Sequence, residues 1–409
     1  MFEFLKYIQP GNYYRLVYQM PQAILIFPTL LDVKVGYSSK ESELMDRAYG
    51  YLQSGWIPKA SDKRSSLQND KITNIGDNYI FIHRYFSKTQ VLYVLLIRLF
   101  TLKNPVFEMV AFIKALKFSR VLIEPKLYPG FENVESSLVN SQPLVSVIIP
   151  TLNRYEYLKD VLKDLENQSY SNFEVIVCDQ SEPIDESFYD GWNLNIQLIK
   201  QEEKALWLAR NRCVKQSKGD YILLFDDDSR VDHHWISYHV KCLDYFKVPI
   251  SAGVTHTLVG GGLGKKDFYF HLSDVFDTGN AMVKRNVFEK VGLFDRQFEK
   301  QRMGDSEFGI RSLLGGYLVI ANPYAKRIHL KVETGGLRQM GSWDAIRPKK
   351  LLAPRPIPSV LYLIRKYHNA HEAILYLIKN IPQSYVPYKY KGNKIITLLI
   401  FTLLPLWMP

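Results

Sequence analysis

Tyr221-Ile222-Leu223-Leu224-Phe225-Asp226-Asp227-Asp228 is the stretch from which the fold of this chain is read. The apolar run follows Gly219-Asp220, is too short for a helix and shows no polar alternation, so it reads as a buried strand. Side chains alternate along a strand, which places Asp226 and Asp228 on one side of the sheet and Asp227 on the other. Carboxylates at that spacing repel unless a cation or a set of donors lies between them. Carboxylate oxygens suit Mg²⁺ or Mn²⁺, ions that usually share their coordination with substrate phosphates. The same residues are open to a plainer interpretation, as turn formers that cap a helix opening near Asp232.

Outward from this strand the pattern repeats. Val145–Ile149 is a strand ending at Pro150-Thr151, and Glu174–Cys178 is another ending at Asp179. Between them Tyr157, Leu158, Val161, Leu162 and Leu165 form one helical stripe. Ile196–Ile199 reads as a strand, and helices are expected at Ala205–Gln216 and Asp232–Phe246. The expected fold is therefore α/β: a mostly parallel sheet with helices on both faces. Ligands of such sheets bind beyond the carboxyl ends of the strands, where Thr151, Asp179 and the aspartate triplet all fall.

Three segments are distinguished: an N-terminal accessory region at 1–140, the α/β domain at 141–340, and a Pro-rich linker, helix and apolar tail at 341–409. One helix is expected near Val360–Lys379. Val91–Ile97 and Ile395–Met408 are apolar but too short to span a bilayer. The second, preceded by Lys389, Lys391 and Lys394, is either an interfacial anchor or a terminal element docked on the protein. Residues 1–16 are broken by Pro10-Gly11 and do not read as a secretory signal.

A net charge of +11 over 409 residues points to acidic partners: nucleic acid, anionic lipid or nucleotide phosphate. The basic residues are scattered and no zinc-finger spacing is present, which argues against nucleic acid. Cys178, Cys213 and Cys242 fit neither a disulfide framework nor a zinc site, and suggest a reducing compartment.

Taken together, Val145–Arg154, Glu174–Asp179, Ala209-Arg210-Asn211 and Gly219–Asp228 resemble the family 2 glycosyltransferases, inverting enzymes of GT-A fold, in motif order and spacing. Thr278–Met282, Phe288–Asp295 and Gly304–Gly309 are similar to the acceptor half of that family and to the C-terminal segment of galactosyltransferase-type domains. The resemblance covers residues 143–335. It implies that Pro150, Thr151, Asn153 and Arg154 line a nucleotide pocket, that Asp179 accepts from a uracil N–H, and that Arg154 and Arg210 meet the diphosphate. It assigns Asp226 to ribose or metal, and Asp228 and His329 to a Mn²⁺ or Mg²⁺ ion. Asp305 becomes the catalytic base, although the family's usual Glu-Asp is Gly304-Asp305 here. Lys331–Arg338 becomes a mobile loop over the donor phosphates.

The function implied is metal-dependent, inverting transfer of a sugar from a nucleotide-diphosphate donor, a UDP-sugar by Asp179, to a glycan or lipid-linked hydroxyl. Cell-surface polysaccharide biosynthesis is the expected setting, in the cytoplasm or peripheral on the inner face of the membrane. A nucleotidyltransferase and a non-catalytic glycan-binding relative are the alternatives. The first would be favoured by a Gly-rich loop after the first strand, which Thr151–Arg154 does not supply.

Overall fold

The computed structural model describes residues 2–12, 35–57, 73–257, 263–273, 276–332 and 356–385. The chain divides into two compact units. One joins Gly55–Ala60 to Pro125–Trp343, and the other joins Met1–Ser54, Ser61–Glu124 and Asp344–Pro409.

The first unit is built on one sheet. Its strands are β1 (Val145–Thr151), β2 (Phe173–Asp179), β3 (Ile196–Lys200), β4 (Tyr221–Phe225), β5 (Ser229–Val231), β6 (Ile250–Thr257), β7 (His271–Leu272), β8 (Asn280–Lys284) and β9 (Val319–His329). They lie in the order β3-β2-β1-β4-β8-β6-β9-β5, with β7 also on β9. β1, β2, β3, β4, β6 and β9 run one way; β5, β7 and β8 run against them. The sheet is thus mostly parallel, as expected.

β1 and β4 are buried along their whole length, which is why they read as continuous apolar runs. Helix α1 (Tyr155–Glu166) connects β1 to β2, and α2 (Leu206–Gln216) connects β3 to β4. These crossovers travel in opposite directions across the sheet, so right-handed connections put their helices on opposite faces. In α1 the stripe Leu158, Val161, Leu162 and Leu165 is buried. Helix α3 (Trp235–Phe246) packs on β6, β8 and β9, with Trp235 against Phe225 at a centroid distance of 4.4 Å. Helices α4 (Arg285–Val291) and α5 (Gly304–Leu314) follow β8.

Two expectations change here. The aspartate triplet lies in a turn after β4, so the two-face alternation expected of it does not hold, and β5 follows it directly, too short to announce itself by alternation. Asp232 does not open the next helix. It accepts from the His234 N–H at 2.9 Å, and α3 begins at Trp235.

The second unit is helical among the described residues: Leu5–Ile8, Lys40–Ser54, Ile75–Tyr85, Lys88–Phe100, Pro105–Ala115, Pro358–Tyr367 and Ala370–Ser384. Its core is aromatic, with Phe2 stacked on Phe81 at 4.0 Å. The single helix expected at Val360–Lys379 is two. His368 adopts an extended conformation, and Asn369 accepts from the Glu372 N–H at 2.9 Å, a cap that starts a new helix. Among the described residues no helix is long and apolar enough to cross a membrane. The apolar stretch Ile395–Met408 and the loop beyond Val332 lie outside them.

Candidate active site

The site gathers where β1, β2, β4 and β9 end. β5 pairs antiparallel with β9 in a register that sets Ser229 opposite His329, and the Leu330 N–H donates to the Asp228 carbonyl at 3.0 Å. A three-residue strand therefore brings His329 to the turn after β4. His329 Nε2 lies 3.2 Å from Asp228 Oδ1. One ligand atom each from Asp226, Asp228 and His329 falls within 4.8 Å of the others.

Asp226 is gripped from two sides. Arg210 Nη2, on α2, donates to Oδ1 at 2.8 Å, and Arg327 Nη1, on β9, donates to Oδ2 at 2.7 Å. Burial would lift this carboxyl, but Arg327 and Arg210 hold it well below the usual carboxylate range. Arg327, itself buried, also donates to Asp277 at 3.0 Å and 3.2 Å and to Thr255 Oγ1 at 3.2 Å. Gly279 lies against this pair: a Cβ there would sit 1.9 Å from Arg327 Nη1 and 2.2 Å from Asp226 Oδ2. Only glycine fits.

Asp227 does not face away from its neighbours. Thr151 Oγ1 and Arg154 Nη1 both donate to it at 2.9 Å, and the same Nη1 lies 3.3 Å from Asp228 Oδ2. A turn frees successive side chains from the two-face alternation of a strand, which is why the expected separation fails. Burial lifts Asp227 to about 6 against the pull of Arg154, and Asp228 adds to the rise.

Asp179 is fully buried. It accepts from the Tyr155 hydroxyl at 2.6 Å, the Tyr189 hydroxyl at 2.8 Å and the Ser181 N–H at 2.8 Å. Asn153, in the left-handed region at φ 53°, accepts from the Glu182 N–H at 3.1 Å and donates its own N–H to Ser181 Oγ at 2.8 Å. The loop after β1 is thereby stitched to the loop after β2. Pro150 lies within β1, in register with Cys178.

Asp305 opens α5. Burial raises its carboxyl, its own Ser306 N–H (2.7 Å) lowers it, and Asp277 raises it further against Arg210 and Arg302. The charge of Asp305 is felt by Arg210, the arginine that binds Asp226, which ties the two carboxylates to one electrostatic cluster. Glu307 is not the like charge acting on Asp305: it is buried in a two-bond pair with Arg311, at 3.0 Å and 2.9 Å. Gly304 has a specific cause. A Cβ there would lie 2.3 Å from the Trp207 ring, so Trp207 fills the space that a side chain at 304 would need.

The sequence reading missed Arg327, Asp277 and Trp207. Arg327 stands two residues before His329 on one strand, and Asp277 directly precedes the Thr278–Met282 motif; period-two spacing was the available signal for the first.

A divalent ion fits this donor set. Two carboxylates and an imidazole suit Mn²⁺ at least as well as Mg²⁺. The cluster also holds more carboxylates (Asp226, Asp227, Asp228, Asp277, Asp305) than guanidiniums (Arg154, Arg210, Arg302, Arg327), so added positive charge is favourable. Among the described residues the buried Arg210 Nε has no acceptor.

Residues 146–254 match the model of Glycosyl transferase family 2. Glycosyltransferase AglE of Haloferax volcanii is 30% identical over 169 residues, 39% of this chain and 55% of AglE. Chondroitin synthase of Escherichia coli is 28% identical over 138 residues, 32% of this chain and 20% of the synthase. The chain thus spans about half of the first relative and about a fifth of the second. Among solved structures, S. aureus TarS 1-349 in complex with UDP-GlcNAc superposes with a TM-score of 0.46 at 16% identity, covering 63% of this chain and 80% of that one. Residues 146–254, which lie in the unit built on the mixed nine-stranded sheet, are thus similar to the family 2 glycosyl transferases.

Proposed function

We propose that the chain is a metal-dependent, inverting glycosyltransferase that moves a sugar from a nucleotide-diphosphate donor, a UDP-sugar, to a hydroxyl of a glycan or lipid-linked acceptor. One observation carries this: His329, far along the chain from Asp226 and Asp228, offers a ligand atom within 4.8 Å of theirs.

Asp226, Asp228 and His329 would hold Mn²⁺ or Mg²⁺. When bound, the ion supplies positive charge against the departing nucleoside diphosphate. Arg210, with Nε uncommitted, is placed to add to it. Arg154 secures Asp227 and Asp228 and so fixes the turn that carries the ligands. Thr151, Asn153 and Pro150 shape the nucleotide side. Asp179 and its two tyrosines form the wall where the base would lie, and a uracil N–H would reach the buried carboxylate only in exchange for one of the hydroxyls it now accepts from. Asp305 takes the proton of the acceptor hydroxyl, whose oxygen attacks the anomeric carbon. The bond to the diphosphate oxygen breaks on the opposite face, and the configuration inverts. The upward shift of Asp305 suits a base, since a more basic carboxylate abstracts better.

Cell-surface polysaccharide assembly is the setting we favour, given relatives such as chondroitin synthase. A cytoplasmic chain working at the inner membrane face is compatible with three free, buried cysteines.

The test is a thermal-shift screen of nucleotide sugars with and without Mn²⁺, followed by turnover of the stabilising donor. A shift that grows with ligand and needs Mn²⁺ is expected for wild type, and its loss is expected for Asp228→Ala. No Mn²⁺-dependent shift and no transfer with any nucleotide sugar would remove the proposal.

A further inference from the structure

Helices Lys88–Phe100 and Pro105–Ala115 carry a surface that the transferase site does not use. In Pro105–Ala115 the inward residues are Glu108, Ala111 and Ala115, three and four apart. The outward residues are Val106, Phe107, Met109, Val110 and Ile113. This inverts the ordinary amphipathic helix, whose apolar stripe faces the core. The inward carboxylate is compensated: Glu108 binds Arg98 at 2.6 Å and the Tyr79 hydroxyl at 2.7 Å. The preceding helix turns Leu92, Leu96 and Phe100 outward at every fourth position, and the connecting turn presents Leu102. Exposure reaches 83% at Phe100, 93% at Leu102 and 66% at Phe107. Single exposed apolar residues are ordinary on a protein surface; a run of them on neighbouring helices marks an interaction site.

The charges on this surface share one sign. Lys88, Lys103, Lys114, Lys117 and Arg120 are exposed, whereas from 88 to 123 the only acidic residue is the buried Glu108. We propose that this helix pair is a membrane-docking surface that lies in the plane of a bilayer bearing anionic headgroups. The apolar side chains enter the headgroup–acyl boundary and the lysines meet lipid phosphates. At 13 and 11 residues the helices fall short of the roughly 20 needed to span, so the contact is interfacial. A second copy of the chain is a poorer occupant, because a two-fold contact through this patch would set the same lysines against one another. The assignment stands apart from the transferase proposal and from Ile395–Met408.

The experiment is flotation of the full chain with phosphatidylcholine vesicles, with and without phosphatidylglycerol. Wild type should float with the anionic vesicles. Phe100→Ser/Phe107→Ser/Val110→Ser/Ile113→Ser should lose at least about tenfold in bound fraction. Lys103→Glu/Lys114→Glu/Lys117→Glu should lose the phosphatidylglycerol dependence. All these positions are exposed, so unfolding midpoints should stay at the wild-type value, which separates lost docking from lost folding. Wild type remaining in solution would overturn the proposal, as would an apolar variant that floats like wild type. A wild-type dimer that neither floats nor survives the apolar substitutions would overturn it too.

Discussion

Arg327→Met tests whether the cluster is held by long-range ion pairs. Arg327 is 2% exposed and binds two carboxylates, Asp226 at 2.7 Å and Asp277 at 3.0 Å. Methionine keeps much of the stem's bulk and removes the charge, taking one of two guanidiniums from Asp226 and the paired one from Asp277. Breaking a buried pair by removing one partner costs about 3–5 kcal/mol. Here the acid side chains are 22% and 28% exposed, so water can solvate them in part, which favours the lower end, about 3 kcal/mol. For a unit of this size that is a fall in Tm of about 6–12 °C. Tryptophan fluorescence is a suitable assay, since Trp207 and Trp235 are buried in this unit. Arg327→Lys should recover little, because an ammonium lacks the fork that reaches both acids. Adding Asp277→Asn to Arg327→Met should restore part of the loss, with a coupling of about 1 kcal/mol or more. A fall in Tm below about 2 °C, or strict additivity in that cycle, would refute the account of the cluster.

The other predictions concern the same cleft. Asp305→Asn should lower turnover by about 10²–10⁴ while donor-induced thermal shift persists; wild-type turnover would remove Asp305 from the base role. Because burial raises the Asp305 carboxyl and the base works ionised, the acid limb of the kcat profile should lie above the pH expected for an ordinary aspartate, with activity rising as pH climbs through it; a limb at or below that pH would count against burial as the cause. Gly279→Ala, whose methyl would meet Arg327 and Asp226, should separate that pair and weaken Mn²⁺ binding, measurable by calorimetry; an unchanged affinity would show that the pair does not shape the ligand set. Gly304→Ala should cost about 1–3 kcal/mol through its clash with Trp207, and Trp207→Phe in the same chain should recover part of it; no cost would mean that the ring moves freely.

Much of the frame was legible in the residues. The runs at Val145, Phe173 and Tyr221 are apolar because β1, β2 and β4 sit inside the sheet, and their polar ends mark the cleft by the rule for parallel sheets. The turn chemistry of the triplet was less legible. Strand alternation put Asp226 and Asp228 on one side, and they do approach a common point, but through a turn in which Asp227 shares Arg154 with Asp228. The break at His368 was hidden because helical apolar spacing continues across it, and only the backbone shows the extended residue.

Local periodicity thus determined strands β1 to β4, the crossover helices and the row of carboxylates, because each depends on neighbours within a turn or a strand length; β5 to β9 were not read from it. Tertiary structure decided which cation meets which acid. Arg327 reaches Asp226 across 101 positions of chain, and such a pair leaves no period in the sequence. It also decided that the residues after Asp344 share a unit with those before Ser54, and that Phe107 and its neighbours face outward. Amphipathic spacing gives a helix two faces; only the packing of Glu108 against Arg98 and Tyr79 fixes which of them points inward.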